Sequence, residues 1–196
     1  MSGPAEPSVR AIGTDPVAFT AFYRAHVDEV TRFVARRVAD PQLVADLTAE
    51  VFLAAIEAAA RFRGSHGGPR TWLYGIARNV IAGERRRAAH ELRTASRIAG
   101  RRLLDDDDTA RLEERIDAEK PGRAACQALA GLPPDERAVL ELVAIDGLAV
   151  KDAAAALGIL QGTARVRLHR ARRAARRAMR PLAASDAPST EVESLT

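Results

Sequence analysis

The chain has 196 residues, is 47% hydrophobic but only 4% aromatic, and carries a formal net charge of +4. Alanine supplies much of the apolar content, which favours helices over sheets, and a single cysteine, Cys126, excludes an internal disulfide framework. The four histidines (His26, His66, His90 and His169) are too scattered for a metal-ligand motif, and no apolar run is long enough to span a membrane. The expected chain is therefore all-α, cytoplasmic, not inserted in a membrane and without a cofactor. Its basic residues are almost all arginine, Lys120 and Lys151 being the only lysines, so they carry information only where they cluster.

Residues 1–14 are rich in Pro, Ser and Gly, lack the apolar core of a signal peptide and read as disordered. Asp15 then offers an N-cap and Pro16 a first helical turn. Phe19, Phe22, Tyr23, Val27, Val30, Val34 and Val38 follow at helical spacing. Asp40 and Pro41 repeat the device for a second helix, which runs through Leu43, Val44, Leu47, Val51 and Ile56 to a stop at Gly64. The loop "GSHGGP" lacks the Gly-Lys-Ser/Thr of a phosphate cradle and reads as a connector. A third helix starts near Pro69, with Trp72, Leu73, Ile76 and Val80 as its buried stripe and Tyr74, Arg78 and Arg85 on the opposite face. It ends in the run Arg85-Arg86-Arg87, which suits a nucleic-acid backbone better than a merely solvated face.

Residues 15–97 thus form a first helical domain. Residues 98–121 differ in character: from 103 to 121 there are eight acids against three bases, which predicts a flexible acidic linker. Its four consecutive aspartates lack the interleaved spacing of a cation loop. A second domain, 122–180, contains two helices separated at Leu132-Pro133-Pro134 and then a helix-turn-helix: 150–157, a turn at 158–160, and a recognition helix from 161. Ala154 lets two helices cross closely and Gly158 takes the left-handed turn.

At 100° per residue, Ala164, Leu168, Ala171, Ala175 and Ala178 form the docking side of that last helix. Arg165, His169, Arg170, Arg173, Arg176, Arg177 and Arg180 gather on the other, and 158–179 contains no acid. Gln161, Thr163, Arg165 and Val166 would enter a major groove. Val166 projects among the arginines, where it either meets a thymine methyl group or is merely tolerated. The tail, 181–196, reads as disordered.

Three blocks carry a family resemblance: "DLTAEVFLAA" at 46–55, "TWLYGIARNVIAGERRR" at 71–87, and "LAGLPPDERAVLELVAIDGLAVKDAAAALGILQGTARVRLHRARR" at 129–173. In this order and spacing they resemble the extracytoplasmic-function (ECF) sigma factors of bacterial RNA polymerase, from residue 19 to about 178. The resemblance implies polymerase binding by Asp46, Glu50 and Phe52. It implies opening and reading of the minus-ten element by Arg78, Asn79, Arg85, Arg86 and Arg87. Reading of the minus-thirty-five element would fall to Gln161, Thr163, Arg165, Val166, Arg167, His169, Arg170 and Arg173. The implied partners are core RNA polymerase, promoter DNA and an anti-sigma factor.

The chain departs from the family pattern at Ala49, Ala153, Ala164 and Val166. Ala153 and Ala164 thin the hairpin core, and Val166 separates this chain from the family's usual promoter preferences. Two rival classes remain. One is a helix-turn-helix regulator that binds a palindrome as a dimer without entering polymerase. The other is an enzyme on nucleic acid, which would need converging carboxylates or a metal cluster that the sequence does not offer.

Overall fold

A computed structural model describes residues 9–64, 67–94 and 106–184. Among the described residues there are helices and turns but no strand. The Pro-led starts expected from the sequence are both present. The Asp15 carboxylate accepts a hydrogen bond from Val17 N at 2.8 Å and opens α1, Pro16–Ala35; Asp40 accepts from Leu43 N at 3.1 Å and opens α2, Pro41–Ala58. In each case a short carboxylate satisfies a backbone donor that has no partner in the first turn. A 3-10 turn, Ala59–Arg61, ends α2 before Gly64 is reached.

Next come α3 (Pro69–Thr94), α4 (Asp106–Ala118), α5 (Lys120–Ala128) and α6 (Pro134–Leu140). The chain leaves α6 through a π-helical turn, Glu141–Ile145, in which Asp146 N donates to Glu141 O at 3.0 Å. The helix-turn-helix consists of α7 (Val150–Ala156) and α8 (Gln161–Ala184).

Helices α1, α2 and α3 enclose the larger core around Phe22, Phe33, Val44, Leu47, Val51 and Leu73. Helices α6, α7 and α8 enclose a smaller one of Val139, Leu140, Ala154, Ala164, Leu168 and Ala171. Two helical cores were expected, but their independence was not observed. Leu142, Leu148 and Ala153, all C-terminal to the acidic stretch, are buried in the larger core. The two halves share apolar surface.

Several expectations need correction. From Asp106 to Ala118 the acidic stretch is helix α4, not a flexible tether: Ile116 is 3% exposed, and Leu112, four residues earlier, packs against the larger core. Acid content predicted repulsion, but an apolar pair at i and i+4 needs only one stripe of the helix to dock. Residues 98–105, including the first aspartate of the run, lie outside the described residues. Near the N-terminus, Val9–Gly13 forms a 3-10 turn with Val9 and Ile12 buried, while 1–8 lies outside the described residues. The backbone of α8 continues to Ala184, past the expected boundary at 180, and 185–196 is likewise outside them.

Tyr74 is also corrected. It is 2% exposed, with its ring 4.4 Å from that of Phe33 and its hydroxyl 3.3 Å from Arg70 Nε. A tyrosine can bury its ring wherever the hydroxyl finds a partner. Trp72, assigned to the core, lies at its margin against Phe62.

Candidate polymerase and nucleic-acid surfaces

The turn of the helix-turn-helix is built as the sequence suggests. Gly158 has φ +64°. Its N–H donates to Ala155 O at 3.1 Å and that of Ile159 donates to Ala154 O at 3.0 Å, a Schellman closure of α7. Ala164, Leu168 and Ala171 of α8 are buried in one cluster with Val139 and Leu140 of α6 and Ala154 of α7. That packing turns Gln161, Thr163, Arg165, Val166, His169, Arg170 and Arg173 outward, Val166 being 51% exposed. Arg167 behaves differently: its guanidinium lies 2.6 Å from Asp135 at the start of α6, so it pins the hairpin rather than facing outward with its neighbours.

On the first half, α2 presents Asp46 to solvent, where it accepts a hydrogen bond from Gln42 at 3.4 Å. One turn later Glu50 pairs with Arg87 of α3 at 3.2 Å. Leu53, seven residues after Asp46 and therefore on nearly the same face, is 62% exposed. It lies off the apolar stripe of α2 formed by Val44, Leu47 and Val51. Phe52 lies on the other side. It is 2% exposed and edge-on to Tyr23 at 4.7 Å, so it supports the α2 face from behind.

On α3, Asn79, Arg85, Arg86 and Arg87 are exposed. Arg78 is half-buried at the junction with α6, in a cavity of about 230 Å³ that it shares with Arg37, Arg85, Arg137 and Glu141. Burial holds its pKa below the ordinary arginine value, and Arg37 and Arg137 push the same way against Glu141.

A buried charged cluster joins the halves. Asp146, delivered by the π turn, has a fully buried side chain. One oxygen receives Arg36 Nε at 3.0 Å and the other an Arg37 nitrogen at 2.5 Å. Arg70 donates to Asp146 O at 3.0 Å. Arg36 also meets Glu119 at 2.9 Å, and Arg37 meets Glu141 at 3.5 Å. Burial alone would lower the Arg36 pKa, but Asp146 and Glu119 outweigh it and hold the value above the ordinary one. Beside this cluster α3 and α7 nearly touch: a Cβ at Gly75 would stand 2.9 Å from Ala156 O.

The outward face of α8 is rich in arginine and free of acid, and the helix-turn-helix presents it to solvent. Residues 22–91 match Sigma-70 region 2 and residues 124–174 match Sigma-70 region 4. The chain is 38% identical over 156 residues to the ECF RNA polymerase sigma factor SigC of Mycobacterium tuberculosis, covering 79% of this chain and 80% of that one. It is 32% identical to the RNA polymerase sigma-H factor of Pseudomonas aeruginosa, covering 86% and 89%.

Its fold matches CnrH, solved in complex with the cytosolic domain of CnrY, with a TM-score of 0.58 at 22% identity over 94% of this chain and all of that one. The chain belongs to the ECF sigma factors, which direct promoter-specific transcription initiation by RNA polymerase. Sigma factors are not enzymes. No helix among the described residues is long and apolar enough to cross a membrane.

Proposed function

We propose that this sigma factor divides its work among three surfaces. Asp46 and Glu50, with the exposed Leu53 one turn beyond Glu50, form the face that docks on core polymerase. Two carboxylates one turn apart meet basic residues of the partner, and the exposed leucine supplies apolar contact. Phe52 contributes by holding that face in place.

Asn79, Arg85, Arg86 and Arg87, with Arg78 once it is uncovered, take the separated strand of the minus-ten element. Cations along one helix suit a single strand's phosphates, and an amide suits a base edge. The start of α8 reads the minus-thirty-five element through Gln161, Thr163, Arg165 and Val166, while His169, Arg170 and Arg173 hold phosphate. Arg167 serves this surface indirectly, through Asp135.

The observation that carries the reading is the outward, acid-free arginine face of α8 behind a closed Schellman turn. Run-off transcription with purified core polymerase and genomic fragments tests it. Initiation at defined sites only when the protein is present is expected; equal initiation by core alone at those sites defeats it. Its work on DNA puts the protein in the cytoplasm. By analogy with CnrH, captured with a cytosolic domain of CnrY, we also assign this chain an anti-sigma partner. It performs no catalysis of its own.

A further inference from the structure

Helices α1, α2 and α4 do not close completely on one another. Between them lies a chamber of about 540 Å³, walled by Val27 and Thr31 of α1, Thr48 and Ala49 of α2, and Leu112 and Arg115 of α4. That volume falls within the roughly 300–1,000 Å³ of small-molecule sites. The space survives because α2 contributes only alanines, Ala45 and Ala49, beside Thr48.

One polar group at this chamber has no partner. Thr48 is 6% exposed, and its Oγ1 is buried without a hydrogen bond. A threonine inside a helix can return its hydroxyl to the carbonyl four residues back, as Thr20 of α1 does to Pro16 O at 2.8 Å. Thr48 makes no such bond, although burying a hydroxyl unpaired is costly. A ligand that reaches Oγ1 would satisfy it.

Charge at the rim selects the ligand. Arg111 and Arg115 stand one turn apart on α4 and both are exposed. Asp28 of α1 already engages Arg115 at 2.9 Å, so Arg111 is the cation that an incoming anion meets. Glu114 on the same rim disfavours a second negative charge. Below the rim, Val27, Leu112, Ala45 and Ala49 offer apolar surface.

We propose that the chamber binds a small organic monoanion with an apolar body and a second polar group at its far end. The carboxylate rests on Arg111, the body lies against Val27 and Leu112, and the far polar atom pairs with Thr48 Oγ1. Ala45 and Ala49 directly precede Asp46 and Glu50, so the ligand lies beside the face assigned to core polymerase. The inference needs only the chamber and does not rest on that assignment.

The test adds para-hydroxyphenylpropionate to the full chain and follows it in proton–nitrogen correlation spectra. Saturable binding at about 1 mM or tighter is expected, the range open to a ligand of ~12 non-hydrogen atoms. Amide signals of α1, α2 and α4 should move while those of α8 stay. The neutral amide of the same compound should bind about fivefold more weakly, having lost its charge-assisted bond to Arg111.

Two variants locate the site. Ala49→Leu enters the chamber from an exposed position, which spares the core, and should abolish binding. Thr48→Val keeps the side chain's shape and removes an unpaired hydroxyl, so its melting temperature should equal or exceed that of the native chain. Phenylpropionate, which lacks the phenol, should bind the native chain about fivefold more weakly than the hydroxylated acid, whereas Thr48→Val should bind the two acids alike. Absence of saturable binding, undiminished binding by Ala49→Leu, or shifts centred on the arginines of α8 overturns the site. Equal binding of acid and amide overturns the anion assignment, and equal binding of the two acids by the native chain overturns the role of Thr48. Run-off transcription tests the sigma assignment separately.

Discussion

Glu50 of α2 and Arg87 of α3, 37 residues apart in sequence, form an exposed ion pair at 3.2 Å. It links the face assigned to polymerase with the face assigned to the melted strand, and it holds the Arg87 pKa above the ordinary arginine value, mainly through the Glu50 charge. Both side chains are about half exposed, so solvent screens the pair and its contribution to folding is at most about 1 kcal/mol. Its importance lies in where it points.

Glu50→Arg should therefore leave the melting curve almost unchanged, within about 1 kcal/mol, yet abolish association with core polymerase. Thermal melting and co-purification with core enzyme measure the two effects. Undiminished core binding by the folded variant would remove α2 from the docking face.

Arg170 and Arg167 stand three residues apart on α8 but should respond differently to alanine. Arg170→Ala is expected to weaken all upstream sequences about equally and to lower the log–log salt slope by about 0.9. Arg167→Ala loses its 2.6 Å contact with Asp135. It should cost up to about 1 kcal/mol of stability at this part-exposed pair and leave the salt slope unchanged. A salt-slope change for Arg167→Ala would show that it contacts phosphate directly.

Val166 offers an apolar side chain on a DNA-facing surface, and the thymine methyl group is its natural mate in the major groove. Replacing that thymine by uracil should cost on the order of 1 kcal/mol with the native chain, about the value of one buried methyl-sized group, and much less with Val166→Ser. Equal penalties for both proteins at every thymine scanned would mean that Val166 reads nothing.

Ile116→Ala tests the docking of α4. A flexible tether would tolerate it within about 0.5 kcal/mol, whereas loss of a side chain that is 97% covered should cost about 2–4 kcal/mol. Urea unfolding at equilibrium separates the two outcomes.

Cys126 is a native reporter beside the Asp146 cluster. Burial pushes its thiol up to about 11, so alkylation by iodoacetamide at pH 8 should be on the order of a hundredfold slower than in the unfolded chain. The raised value means that the folded state favours the neutral thiol. This contribution to stability is complete below the unfolded thiol's pKa and is lost as pH rises from there through about 11. Alkylation of the native chain at the unfolded rate would contradict the burial.

Local chemistry carried much of this protein into its sequence. The Asp-Pro starts of α1 and α2, the Gly158 turn and the outward arginines of α8 depend on interactions within a few residues, and so could be read from spacing. The buried stripe of α3 was partly legible through Leu73, Ile76 and Val80. Tyr74 was missed because hydrophobic periodicity treats its hydroxyl as polar, while the fold supplies Arg70 as a partner. Phe52 and Leu53 are adjacent apolar residues, and packing alone decides that Phe52 is buried and Leu53 exposed.

The meeting of the halves was beyond sequence reading altogether. Arg36 and Arg37 are two among many arginines, and Asp146 is one acid beside a glycine. Nothing local distinguishes a solvated carboxylate from one whose burial is repaid by two guanidiniums more than a hundred residues away. That balance of desolvation against long-range pairing exists only once α1 and the π turn are brought together, and the tertiary structure alone decided it.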